Sequence, residues 1–377
     1  MALELVALAD DTTGALEVGA QLAVAGVAAF VVLDAGGRWP ADRPALVVDL
    51  ASRHLPEPLA AQTVREAASQ ACRLGARYVY LKTDSTLRGP IGGPMQALLD
   101  VFPERPLVYA PAYPAMARTV IEGVLFVEGR PLAESAFAQD PLEPARESSV
   151  LRVIARDCHA PVRLVRSAAE LGELLAGEAR QCVLVCDGRE DADLRAVAAV
   201  VAVQPPPQIA AGPGGFVGAW VRALPLARNY SPQRPRPRRW LVVNGSLHPR
   251  SREQAARADV AAVLPGGTYP SGHEWALVQT PEQPSPDAFQ VASDLARCVA
   301  RAVRENGVEG LVIFGGDTAR AVLEALDVRV LEPLGEALPG VPVSRVRELG
   351  LTVISKAGGF GPPDVVARIR TEVERWQ

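Results

Sequence analysis

Leu5-Val6-Ala7-Leu8-Ala9-Asp10-Asp11-Thr12-Thr13-Gly14-Ala15-Leu16 decides the fold class. An apolar run suited to a buried strand breaks into two adjacent carboxylates, and a Thr-Thr-Gly turn then opens a helix of small residues. Short Val/Leu/Ile runs alternate with helical Ala/Leu/Arg segments along the rest of the chain, the pattern of an α/β protein with mainly parallel sheets flanked by helices. Strands are expected at 3–8, 29–33, 46–48, 78–81, 107–110, 183–186, 240–243, 311–314 and 351–355, with amphipathic helices at 59–74 and 287–305.

The strongest break in composition is NYSPQRPRPRR at 229–239, where three prolines and four arginines leave nothing to bury. Such a stretch is a linker. It separates an N-terminal domain, 1–228, from a C-terminal domain, 240–377, both of ordinary domain size. The 377 residues are 49% hydrophobic and 22% charged, enough to bury a large core. A net charge of −4 offers no general attraction to nucleic acid or to an anionic membrane. Met1-Ala2-Leu3-Glu4 carries no basic region ahead of its apolar run, and no stretch approaches a membrane span, so a cytoplasmic protein is expected. Cys72, Cys158, Cys182, Cys186 and Cys298 include no C-x-x-C pair, which argues against a disulfide framework and a zinc site. His54, His159, His248 and His273 are scattered without metal-ligand spacing, and no metal-ligand residues are assigned.

Ligands of open α/β sheets bind beyond the carboxyl ends of strands, and the polar residues of this chain gather there. Only two of its 39 basic residues are lysine, Lys82 and Lys356, and each sits where an apolar run breaks into a polar or glycine-rich turn. A chain so biased toward arginine keeps lysine where a compact ammonium is required. In Tyr80-Leu81-Lys82-Thr83-Asp84-Ser85 an extended chain puts Lys82 and Asp84 on one face. That pair suits a small substrate bearing a carboxylate and hydroxyls: Lys82 neutralises the acid and Asp84 accepts a hydroxyl proton. A structural salt bridge is the competing account. Asp10 and Asp11 point to opposite faces unless the turn begins between them. One of them is expected to meet substrate hydroxyls; the alternative is that Asp10 or Thr12 simply caps the helix. Arg53 is a candidate bidentate carboxylate ligand.

Three strand-to-glycine turns follow the linker, at Asn244-Gly245-Ser246, Phe314-Gly315-Gly316-Asp317-Thr318 and Lys356-Ala357-Gly358-Gly359-Phe360-Gly361. Together they read as a nucleotide phosphate cradle. Ser251-x-x-Gln254 has the spacing of a capping box that starts the helix after the first turn, and a helix is expected at 319–326 after the second. G-x-x-x-x-G-K-[ST] is absent, which excludes a P-loop enzyme, and Gly212-Pro213-Gly214-Gly215 reads as a tight strand-to-helix turn rather than a dinucleotide fingerprint.

With ALADDTTGA at 7–15, ASRH at 51–54, KTDSTLRGPIG at 82–92, APAYPAMARTVIEGVLFVEGRPLAES at 110–135, NGSLHPRSREQ at 244–254, GGDTARAVLEAL at 315–326, PGVPVSR at 339–345 and SKAGGFG at 355–361, the chain resembles the four-carbon acid sugar kinases. The resemblance covers nearly the whole chain. It implies an acid-sugar domain, an ATP domain, an active site in the interdomain cleft, and phosphorylation of the C4 hydroxyl of D-threonate, D-erythronate or a 3-oxo-tetronate. It implies that Asp10 or Asp11, Arg53, Lys82, Thr83, Asp84 and Ser85 bind the acid sugar, and that Ser246, Gly315, Gly316, Asp317, Thr318 and Gly358 bind ATP. Transfer would then use Mg2+, with Lys356 holding the anion and Asp84 or Asp11 orienting the hydroxyl. Leu50, Leu247-His248 and Ala357 depart from the family pattern. An aldolase or epimerase working through Lys82 leaves the glycine turns without a role. A non-enzymatic sugar-acid sensor finds no helix-turn-helix or basic stripe to support it.

Overall fold

β1 (Leu5–Ala9) is buried along its whole length and feeds α1 (Thr12–Val24) in the computed structural model, which describes residues 3–139, 144–177, 179–263, 268–281 and 288–376. The same alternation gives β2 (Ala29–Val32), β3 (Ala45–Asp49), α2 (Glu57–Arg73), β4 (Tyr78–Lys82), α3 (Gly92–Val101) and β5 (Leu107–Tyr109). A small antiparallel sheet follows, built from β6 (Arg118–Ile121), β7 (Val124–Val127) and β8 (Arg130–Pro131). The first half closes with α4 (Val150–Ala155), β9 (Val162–Val165), α5 (Ala168–Ala176), β10 (Val183–Cys186), α6 (Asp191–Ala202), β11 (Gln208–Gly212) and α7 (Gly214–Ala223). Beyond 229–239 come β12 (Trp240–Asn244), α8 (Pro249–Ala256), β13 (Ala261–Ala262), β14 (Trp275–Gln279), α9 (Ala288–Asn306) and β15 (Gly310–Phe314). The chain ends with α10 (Gly316–Ala325), β16 (Val330–Leu338), β17 (Val341–Val346), β18 (Leu351–Lys356) and α11 (Val365–Glu374).

Fifteen strands form one sheet, ordered β13-β14-β12-β15-β18-β17-β16-β2-β3-β1-β4-β11-β5-β10-β9. The block from β2 to β9 is parallel throughout, and so is the block from β13 to β18. The antiparallel hairpin β16–β17 joins them, with β16 pairing β2 through Val330↔Val32 and Leu331↔Val31. Both faces are apolar, as continuous hydrophobic strands require. Leu241, Val243, Leu311 and Ile313 pack into the main core, while Trp240, Val242, Val312 and Phe314 pack on the other face with Ile369 and Trp376.

All nine expected strands are present, with ends shifted by at most two residues. The helix expected from position 287, which lies outside the described residues, is seen as α9. Several strands were not legible. β16, VLEPLGEAL, carries Pro333, Gly335 and two glutamates and breaks register between Pro333 and Gly335 and between Glu336 and Leu338, so it reads as a loop although it is a bulged strand. β11 is short and alanine-rich beside three prolines, yet it lies between β4 and β5.

The stretch 229–239 contains no strand or helix but is not idle: Tyr230 Oη donates to the Pro333 carbonyl at 2.9 Å, Arg234 Nη2 to that of Glu336 at 2.7 Å, and Arg236 Nε to that of Trp376 at 2.5 Å. Its arginines are staples. The capping-box expectation is also corrected: Pro249 starts α8 earlier, His248 is its N-cap, and Ser251 and Gln254 lie inside the helix. Likewise α10 begins at Gly316 rather than 319, because Gly315 takes the N-cap position. Among the described residues no helix is long and apolar enough to cross a membrane.

Trp220 on α7 is fully buried against Tyr78 and Tyr80 of β4, with ring centroids 6.1 and 5.9 Å away. Trp220→Ala should lower unfolding stability in urea by about 3–5 kcal/mol; a loss under about 1 kcal/mol contradicts this packing.

Candidate active site

Ala9 is level with Asp49 on one side and Lys82 on the other, so the loops after β3, β1 and β4 open side by side. The chain winds from β1 outward to β2, then crosses from β3 past β1 to β4, a switch point of the kind that leaves a crevice at strand ends. β1 stops at Ala9 and α1 starts at Thr12, so the turn falls where both aspartates can face one way. They share Arg53: its Nε and Nη2 lie 2.9 and 2.8 Å from Asp10 Oδ2, and its Nη1 lies 2.5 Å from Asp11 Oδ2. Arg53 is thus a carboxylate ligand, but the carboxylates are the protein's own.

The helix cap is Asp11, whose Oδ1 accepts from the Gly14 N–H at 2.7 Å, rather than Asp10 or Thr12. Thr12 donates instead to Asp49 Oδ2 at 2.5 Å.

Lys82 and Asp84 are both buried at this end of β4 but serve different partners. Lys82 Nζ donates to the Thr83 carbonyl at 3.0 Å and stands 3.5 Å from Glu17 Oε2. Asp84 is gripped by Arg88 through Nε at 3.0 Å and Nη2 at 2.8 Å, and it accepts from the Thr86 N–H at 2.9 Å. Thr83 Oγ1 lies 3.3 Å from Tyr109 Oη, and Ser85 is half-buried in the same turn. Burial pushes the Asp84 carboxyl up, but Arg88 and Arg53 overcome it and hold the group well below the usual carboxylate range. Asp10 behaves oppositely. Burial, reinforced by Asp11 and Asp84 and opposed by Arg53 and Lys82, pushes it up to about 6, and its buried Oδ1 has no hydrogen-bond partner among the described residues. Burial draws the Lys82 ammonium down, yet Glu17, Asp10 and Asp11 together leave it above its ordinary value.

The other half repeats the arrangement, with Asn244, Phe314 and Lys356 level at the ends of β12, β15 and β18. Gly315 has φ +98°, which favours glycine, and it brings Ser246 and Thr318 together. Gly358 lies against Ser246 from the third turn.

Three buried side chains shape that third turn from beneath. Lys356 Nζ stacks 4.3 Å from the Phe314 ring centroid and donates to the Ala357 and Gly358 carbonyls at 2.9 and 3.1 Å. Ser251 Oγ donates to the Gly358 carbonyl at 2.5 Å, and the two N–H groups of Gln254 Nε2 are shared among those of Phe360, Gly361 and Pro362, at 3.0, 3.0 and 2.9 Å. The carbonyls are drawn inward, and the Gly358 and Gly359 N–H groups take no acceptor among the described residues, the polarity of an anion nest. Burial lowers the Lys356 ammonium to about 7. Sequence reasoning missed Ser251 and Gln254 in this role, because their i, i+3 spacing also fits a cap.

The two clusters meet. A Cβ on Gly316 would lie 2.7 Å from Thr13 Oγ1 and 3.0 Å from Asp11 Oδ2, so α10 starts against the start of α1. Arg320 Nη1 reaches the Leu33 carbonyl at 2.8 Å and Asp49 Oδ2 at 3.2 Å, and His54 Nε2 stands 3.4 Å from the exposed Asp317. Asp49 and Arg320 carried no signal as a pair, being 271 positions apart. No group of three His, Cys, Asp or Glu among the described residues has metal-binding geometry.

Residues 5–220 match the family described as sugar-binding N-terminal domain, and residues 273–366 match the nucleotide-binding C-terminal domain. The D-threonate kinase of Bordetella bronchiseptica is 33% identical, covering 96% of this chain and 95% of its own. The 3-oxo-tetronate kinase of Methylobacterium radiotolerans is 28% identical, covering 98% and 99%. A solved structure from Salmonella typhimurium superposes with a TM-score of 0.82 at 21% identity over 98% of this chain and 99% of its own, a likeness of fold.

The elevated Asp10 has a consequence for stability. A folded-state value near 6 against an ordinary 3.8 means that its contribution is fully present below about pH 4 and is lost as pH rises through 6. Between pH 4 and pH 7.5 the stability difference should therefore move in favour of Asp10→Asn by about 1–3 kcal/mol relative to the parent. Urea unfolding at both pH values checks this; a difference that stays constant or moves the other way contradicts it.

Proposed function

The chain belongs to the four-carbon acid sugar kinase family, an enzyme phosphorylating a hydroxyl of such a sugar at the expense of ATP, and we propose that the acceptor is the C4 hydroxyl of D-threonate or D-erythronate, with a 3-oxo-tetronate the further candidate. The observation that carries the assignment of roles is the meeting of the two polar clusters at Gly316 and Asp11. Phosphoryl transfer is mostly positioning and charge neutralisation. Two sets of strand ends that abut, one rich in carboxylates and cations and one in turn N–H groups, supply both.

In this reading Asp10, Asp11, Lys82, Thr83, Asp84, Ser85 and Arg53 form the acid-sugar side, and Ser246, Gly315, Gly316, Asp317, Thr318 and Gly358 the ATP side. Asp10 is the better proton acceptor for the attacking hydroxyl: an acceptor works best with a value near the working pH, whereas Asp84 is held ionised by Arg88 and Arg53. Asp84 then orients the loop. Lys356 supports the reading as the organiser of the ATP-side turn, its ammonium lying beneath the carbonyls. Mg2+, arriving with ATP, would supply positive charge to offset that of the phosphates. No three-carboxylate cage is found among the described residues, and Asp317, exposed in the first turn of α10, would be the protein's carboxylate toward such an ion. Lys82 stays protonated beside Glu17, which disfavours Schiff-base chemistry and with it an aldolase. Dependence on ATP argues for a cytoplasmic location.

A coupled ADP-release assay over D-threonate, L-threonate, D-erythronate, L-erythronate and their 3-oxo forms with Mg-ATP tests the reading. One of them should give acid-dependent ADP formation; ADP release with none of them, alongside aldol cleavage or epimerisation, contradicts it. Gln254→Leu removes the bonds that turn three carbonyls inward and should weaken ATP binding about five- to thirtyfold while acid-sugar affinity stays unchanged. Calorimetry with each ligand separates the two, and an unchanged ATP affinity contradicts the nest.

A further inference from the structure

We infer that Arg118 is the residue that takes the substrate's carboxylate, an inference that rests on the acid-sugar kinase reading. A sugar acid needs a cation with free donors, and the obvious candidates are committed. Arg53 lays its Nε and Nη2 on Asp10, Arg88 lays the same edge on Asp84, and Lys82 stands beside Glu17.

Arg118 differs. It opens β6 in the small antiparallel sheet, and its backbone is fixed to Tyr113 by a pair of hydrogen bonds of 2.8 and 3.1 Å. Its Nη1 donates to the Met116 carbonyl. Its Nε is buried and has no partner, its Nη2 takes no acceptor, and it forms no ion pair, all among the described residues. The Nε–Nη2 edge is the one that matches a carboxylate's two oxygens. A buried donor left unpaired is costly, and a bound carboxylate removes that cost.

The position is right as well. Arg118 Cζ lies 5.6 Å and Arg88 Cζ 5.9 Å from the centroid of the same Phe137 ring, and Arg118 feels the charges of both Asp84 and Arg88. Burial lowers its affinity for a proton, with Asp84 and Glu128 pulling the other way and Arg88 adding to the decrease, as expected of a charge that lacks full compensation. Arg118 thus sets the preference for an acid over a neutral polyol, while Asp10 and Asp11 meet hydroxyls. In sequence it is one arginine among 37, with no strand end or glycine turn beside it to mark it.

The test compares the parent, Arg118→Gln and Arg118→Lys, titrated with whichever of D-threonate or D-erythronate supports ADP release, with the matching uncharged alditol, D-threitol or erythritol, and with ATP. Arg118→Gln should lose acid affinity about ten- to hundredfold, with alditol and ATP affinities unchanged. Arg118→Lys, which keeps the charge but not the fork, should fall between and also serves if the glutamine variant fails to bind ATP. A variant that binds ATP and retains the parent's acid-to-alditol ratio overturns the inference, as does an equal loss for acid and alditol. If no four-carbon acid supports ADP release by the parent, the kinase reading itself fails, a result distinct from either of these.

Discussion

A guanidinium taken out of water needs counter-charges around it. Arg53, with 11% of its side chain exposed, finds them on Asp10, Asp11 and Asp84, which come from the loops after two different strands while Arg53 comes from a third. That requirement ties β1, β3 and β4 together at their carboxyl ends. Fixed by Arg53, Asp11 can also cap α1, and Asp10 is left with one oxygen unpartnered among the described residues and a carboxyl group that burial pushes up to about 6. Asp84 needs Arg88 as a second brace, which immobilises the turn that follows Lys82. Arg53 is thus the cation shared by all three carboxylates, with Arg88 and Lys82 completing the balance at Asp84 and Asp10.

The second constraint is geometric. Stepping from β2 through β16 and β17 to β18 reverses strand direction three times, so in a flat sheet the carboxyl ends of the two parallel blocks would point to opposite edges. They meet nonetheless, at Gly316 and Thr13. The register shifts of β16 lie on the path between the blocks, and bulges of that kind add to the twist that turns strand direction across a sheet. α1 and α10 then begin against each other, so two helix N-termini, each favourable to negative charge, lie at the junction of the two clusters. Arg320, reaching from α10 to Asp49 and the Leu33 carbonyl, holds that junction from the side.

Much of this was legible because apolar runs broke into polar turns at sharp boundaries. Asp10, Asp11, Lys82, Asp84, Gly315 and Gly358 all stand at such breaks, and the structure gathers them into two facing clusters. What stayed hidden depends on partners distant in sequence. Nothing near Arg53 told that its fork would close on the protein's own aspartates, nor did Ser251 and Gln254 announce that they would hold a turn more than a hundred residues away. β16 was hidden by its proline and glycine, which mark the bulges of a strand that joins the two blocks. The rarity of lysine pointed to Lys82 and Lys356, which are both buried at strand ends, but at Lys356 the ammonium lies under the turn rather than in front of it.

The central claim is that transfer takes place where the Asp10–Asp11 turn faces the Gly315–Gly316 turn. A crystal structure with the acid sugar and a non-hydrolysable ATP analogue tests it most directly. The account predicts the terminal hydroxyl beside Asp10 and within about 3–3.5 Å of the γ-phosphorus, with the phosphates against Gly315, Gly316 and Gly358. Phosphates seated among Lys82, Arg53 and Arg88, or two ligands held in separate crevices of a closed protein, would contradict it.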